Sequence, residues 1–181
     1  MKKKTILFVP DFFWPKEQDL FAEITAAMDK MGMKLIVFPH ERNLEDSICE
    51  IEDYCRNNDI DLVISHLTGC YFIASLTSVP RLFVNPDWIS LKEAYRTNQN
   101  KDKLRDYDVN DHELWIAQEM SRLDAIKLGK FSAKCLITAD YLGETECIIE
   151  HLRRFHEVSY DPYISFPCGT SSLENIIALM T

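Results

Sequence analysis

Short, unbroken apolar runs, separated by stretches of helical periodicity, constrain this chain more than any other feature. Thr5-Ile-Leu-Phe-Val9 stops at Pro10, and Lys34-Leu-Ile-Val-Phe38 stops at Pro39. Asp61 to Ser65 ends in a polar corner, and Arg81-Leu-Phe-Val84 ends at Asn85-Pro86. Runs of this length without polar alternation predict strands buried on both faces. Between the first two, Leu20, Ile24, Ala27, Met28 and Met31 fall at helical spacing, with Gly32 where a C-terminal cap belongs. Asn43 is a candidate N-cap for a second helix carrying Ile48, Ile51, Tyr54 and Cys55. Gly69 to Leu76, Thr145 to Phe155 and Leu173 to Met180 are helical in pattern; Lys134 to Thr138 and Glu157 to Tyr160 are strand-like. The alternation predicts an α/β three-layer sandwich with a mostly parallel sheet. Working residues of such a sheet lie on the loops after the carboxyl ends of its strands.

At 181 residues and 46% hydrophobic content, the chain predicts one core and a single domain over 1–181. A net charge of -9 opposes nucleic-acid binding, which needs a basic face. No apolar run approaches the roughly 20 residues that span a bilayer, and Ile6 to Val9 is too short for a signal peptide after Lys2 to Lys4. The expectation is therefore a cytoplasmic protein without a membrane partner. The six cysteines form no CxxC pair and several sit in apolar segments, so they predict reduced core thiols, with no metal site. No phosphate-cradling glycine loop follows the first strand, so no cofactor is expected and a flavodoxin-like arrangement is the second choice of fold. Asp87 to Lys130 is rich in charge; an amphipathic pattern returns within it at Leu114, Trp115, Ala117, Met120 and Leu123.

The segment Asp61-Leu-Val-Ile-Ser65-His66-Leu67-Thr68-Gly69 resembles the nucleophile elbow of the α/β-hydrolase superfamily, in which Gly-x-Ser-x-Gly turns sharply from strand to helix. The likeness is to small single-domain bacterial esterases. Laid on their motif, Ile64 takes the first glycine, His66 the nucleophile, Thr68 the next glycine and Gly69 the last. Pro10-Asp11-Phe12 resembles the loop after the family's first strand. Val84-Asn85-Pro86 resembles the Val-Asn-Pro after the strand beyond the elbow. The resemblance implies an α/β-hydrolase-like fold with a small helical cap at about 87–130. It implies a pocket lined by Asp11, Phe12, His40, Leu67, Asn85 and Trp88, and a small acyl or ester ligand as partner.

The departures from the motif weigh against catalysis. A serine esterase needs a serine, a histidine base, an orienting acid and oxyanion donors. His66 stands at the serine position in this alignment, Pro10-Asp11 replaces His-Gly, and Ser165 to Thr170 contains no histidine. Asp140 and Glu144 are the candidates for the acid. The expectation is a non-catalytic, ligand- or partner-binding pseudo-hydrolase. The alternative is an active ester or thioester hydrolase with an unusual nucleophile: Ser65 read one residue earlier, or Cys168 paired with His66 and one of the two acids. A third expectation is an interaction module with no pocket above His66.

Overall fold

Each predicted apolar run forms a strand, and every strand pairing is parallel. The computed structural model describes residues 3–11, 18–38, 44–67, 69–73, 76, 78–86, 133–139, 149, 153, 157–161 and 177. Its elements are β1 (Thr5–Val9), α1 (Gln18–Lys30), β2 (Lys34–Val37), α2 (Leu44–Asn57), β3 (Leu62–His66), α3 (Gly69–Phe72), β4 (Arg81–Val84), β5 (Ala133–Thr138) and β6 (Glu157–Asp161). The six strands lie in the order β2-β1-β3-β4-β5-β6. The predicted cap at 87–130 lies outside the described residues.

Two cores flank the sheet, as the period-two alternation of strand side chains requires. Ile6 and Phe8 of β1 pack with Leu62 and Ile64 of β3 and with Ile24, Ala27 and Met28 of α1. Leu7 and Val9 pack on the other side with Val63, with Ile51 and Cys55 of α2, and with Cys70 and Phe72 of α3. One helix face is apolar at i, i+3 and i+4 in each case, so burial of that face fixes which side of the sheet it covers.

Local chemistry ends the elements where the sequence predicts. Gly32 adopts φ 72, and Met33 N donates to the Met28 carbonyl at 2.8 Å, closing α1 with a left-handed glycine. Asn58 Nδ2 donates to the Tyr54 carbonyl at 2.8 Å beyond the end of α2. At the start of β1, Thr5 N donates to Asp61 Oδ2 at 2.7 Å, tying β1 to the segment that enters β3.

Most of the described cysteines are in the core, but Cys49 is exposed. Burial, reinforced by Glu52, pushes the Cys55 thiol up to about 11. Burial also raises Cys135 well above the usual thiol range; Cys70 adds to this and Arg81 opposes it. Sequence reasoning missed Arg81, which opens β4 and is fully buried. Its guanidinium carbon lies 5.6 Å from the centroid of the Phe83 ring, and Nη1 donates to the Ile73 carbonyl at 3.4 Å. Phe83 is two residues along the same strand, so the alternation places ring and cation on one face. Burial lowers Arg81 to about 10, which leaves it cationic at neutral pH.

Candidate functional site

The strand order sets where a site can form. From β1 the chain passes through α1 to β2 on one side, then crosses through α2 to β3 on the other. The chain reverses its winding between β1 and β3, so α1 and α2 diverge to opposite faces there. The crevice at the carboxyl ends of two such strands is where open α/β sheets hold ligands.

The corner after β3 lies at this crevice, one residue later than the sequence suggests. His66 was expected at its tip, but it is the last residue of β3, paired with Val84 of β4. The turn is made by Leu67, whose φ is 48. Its N–H still donates to the Val84 carbonyl at 3.0 Å, and its own carbonyl accepts from Cys70 N at 3.1 Å. The sheet therefore holds Leu67 from behind while the helix holds it from ahead. Two residues on, Gly69 lies against β1. A β-carbon there would sit 2.5 Å from the Val9 carbonyl oxygen, 2.9 Å from the Pro10 carbonyl carbon, and closer still to the Pro10 oxygen. Only glycine allows that approach without movement of the strand.

Ser65 and His66 face away from each other. Ser65 is fully buried; its Oγ lies 3.1 Å from Cys70 Sγ and 3.4 Å from the Leu82 carbonyl, the two acceptors for its proton. Cys70 Sγ in turn reaches the Val84 carbonyl at 3.7 Å. These contacts join β3, α3 and β4. His66 shares the alternate face with Leu62 and Ile64, toward α1. It is 5% exposed and both ring nitrogens are closed off from solvent.

Asn85 is also left-handed, at φ 49, a conformation that asparagine tolerates better than most residues. Its Nδ2 donates to Thr138 Oγ1 at 2.8 Å, and Thr138 N donates to its Oδ1 at 2.8 Å. Asn85, expected to line a pocket, is buried with its amide engaged by Thr138, clamping the ends of β4 and β5.

Asp11 and Leu67 stand apart from these buried groups. Ile6 to Val9 of β1 with Pro10 just past it, and Leu62 to His66 of β3, are all buried; Asp11 and Leu67 are the first residues beyond them, and both are half-buried. Val9 pairs with Ser65, so each lies two residues past the same rung of the ladder. The remaining expected site residues, Phe12, His40, Trp88, Asp140, Glu144 and Cys168, lie outside the described residues.

Left-handed backbone costs a leucine about 1–2 kcal/mol, and an asparagine less. Leu67→Asn is expected to stabilise the fold by up to about 1 kcal/mol, raising Tm by about 2–4 °C in a chain of this size. A fall in Tm on thermal denaturation would show instead that Leu67 packing outweighs its strain.

No protein-family model matches the chain, and no curated protein matches it. Among solved structures it is similar to Est1E from Butyrivibrio proteoclasticus, a bacterial esterase, at a TM-score of 0.63 and 13% identity, over 99% of this chain and 87% of that one. The same protein with ferulic acid bound gives a TM-score of 0.63 at 12% identity, over 98% of this chain and 89% of that one. The fold of this chain is α/β-hydrolase-like.

Proposed function

We propose that this protein is a pseudo-hydrolase that binds a small, largely apolar ligand at the crevice between β1 and β3 and does not turn it over. The observation that carries this reading is the left-handed residue of the corner, Leu67, two positions before Gly69. In Gly-x-Ser-x-Gly elbows the strained residue two before the second glycine is the nucleophile. Aligned on that geometry, Ser65 takes the first glycine, Leu67 the nucleophile and Gly69 the second glycine. A leucine side chain has no lone pair and no transferable proton, so no neighbouring base can activate it.

The alternative nucleophiles fare worse on the same geometry. Attack by Ser65 would need its buried hydroxyl to leave Cys70 and Leu82 and reach substrate through the sheet. A Cys168–His66 pair would need an imidazole nitrogen within reach of the crevice, whereas both are closed off from solvent. What the corner retains is strain, held by β4 behind it and α3 ahead of it. Retained strain with an apolar side chain at its apex supports a contact role for Leu67.

The test is turnover of short p-nitrophenyl esters, a thioester and a feruloyl ester by the purified chain. Est1E has been solved with ferulic acid, which makes the last a pertinent probe. Rates equal to the buffer blank are expected. Turnover that Ser65→Ala or Cys168→Ala abolishes would overturn the reading.

A further inference from the structure

We infer that two copies of this chain pair through β2, joining their sheets edge to edge about a two-fold axis at Ile36. The inference goes beyond the ligand reading and does not depend on it. β2 ends the strand order, with β1 as its neighbour on one side and no strand of the described residues on the other. Lys34 N donates to the Lys4 carbonyl and Phe38 N to the Phe8 carbonyl, both at 2.8 Å. Backbone direction alternates along a strand, so Leu35 and Val37 turn their N–H and C=O groups away from β1. The side chains at this edge are incompletely covered as well. Met31, Met33, Leu35 and Val37 are half-buried at the rim of the core that holds Ile24 and Met28. Ile36 is half-buried on the opposite face.

The register selects a second copy as the occupant. With an axis perpendicular to the sheet at Ile36, Leu35 of one protomer lies opposite the partner's Val37, and Val37 opposite the partner's Leu35. Each such pair exchanges two N–H···O bonds, so the outward N–H groups of both copies find acceptors. The same operation keeps α1 on one face of both copies. The half-covered cores then abut, with Leu35 against the partner's Val37 on that face and Ile36 against the partner's Ile36 on the other. Lys34, the one charged residue of β2, meets the partner's Phe38, so no like charges are opposed. The other end of the sheet lacks this fit. Pairing β6 with itself about Ser159 would set Glu157 against Asp161, two carboxylates. Charges of that kind discourage edge-to-edge pairing, and β2 has no counterpart to them.

Sedimentation of the full chain at moderate salt, which screens its net charge of -9, checks the pairing. The mass is expected to rise with concentration from one chain to two and no further, because an isologous contact closes on itself. Ile36→Lys and Ile36→Glu each set like charges opposite one another at the axis. Each alone is expected to dimerise at least about tenfold more weakly. An equimolar mixture of the two is expected to restore the dimer, which a merely destabilised fold would not do. In the unaltered chain, the Leu35 and Val37 amides are expected to gain hydrogen-exchange protection with concentration. The mass of a single chain at every concentration, or growth beyond two copies, would overturn the inference. So would variants that pair no better mixed than apart, or exchange at Leu35 and Val37 that ignores concentration.

Discussion

Gly69→Ala is expected to destabilise the protein by about 3 kcal/mol, the upper part of the range for overpacking a rigid site. The added methyl group would meet the Val9 and Pro10 backbone, not the movable end of a side chain. β1 cannot move aside, because β2 pairs with it on one edge and β3 on the other. Relief must therefore come from lifting α3 off the sheet, which pulls Cys70 from Ser65 and Phe72 from the core. In a chain of this size the corresponding fall in Tm is about 6–12 °C. Gly32→Ala is the control. Gly32 has φ 72, but nothing lies within 4 Å of the place an added methyl group would take, so strain alone acts and the loss is about 1 kcal/mol. Urea denaturation of both variants checks the order. A Gly69→Ala protein no less stable than Gly32→Ala would mean that α3 does not need its close approach to β1.

The centre of the sheet was legible in the sequence because β1, β3 and β4 are buried on both faces. A strand of that kind must be apolar throughout, and Ile6 to Val9, Leu62 to Ile64 and Leu82 to Val84 are. Proline or asparagine marks two of the exits. The corner after β3 was misplaced by one residue for a physical reason. Local polarity changes at Ser65 and His66, which suggests that the strand has ended. Pairing with β4 carries it on through His66, and partner strands set strand length more strongly than local polarity does. The better landmark was Gly69. Its lack of a side chain is demanded by the contact with β1, so counting back two residues gives Leu67 as the turn.

Other features depended on contacts between residues distant in sequence. Nothing near Asn85 indicates that its amide will meet Thr138, 53 residues later. An Asn-Pro pair after a strand reads as loop chemistry open to a ligand, and the tertiary fold closes it. Arg81 is similar: beside Pro80 it looks like an exposed strand start, yet the Phe83 ring and the Ile73 carbonyl make its burial tolerable. Ser65 and His66 looked reactive because of their place in a motif. The alternation of side chains across β3 sends them to opposite cores, away from the edge where Leu67 and Asp11 emerge.

Asn85→Ala is expected to cost about 3 kcal/mol, through two separable effects. The first is the loss of both hydrogen bonds to Thr138, which leaves a buried backbone N–H without its acceptor, at about 1–3 kcal/mol. The second is the φ of 49, which alanine adopts at a penalty of about 1 kcal/mol or more relative to asparagine. Asn85→Gly separates them, because glycine removes the left-handed penalty and the hydrogen bonds together. If the clamp dominates, Asn85→Gly loses nearly as much stability as Asn85→Ala in urea denaturation. If strain dominates, Asn85→Gly recovers most of it. The clamp is expected to dominate, because the stranded Thr138 N–H costs more than the left-handed penalty, which alanine pays in full where the Asn85 N bond to the Leu136 carbonyl at 2.9 Å holds the backbone in place. Amide hydrogen exchange gives a local check. The Thr138 N–H is expected to lose protection in both variants, while the Val63 N–H, which donates to the Pro80 carbonyl at the other end of the sheet, keeps its protection relative to global stability. Unchanged protection at Thr138 would show that its N–H finds another acceptor once the asparagine is gone, and that the carboxyl ends of β4 and β5 are held by something other than this pair.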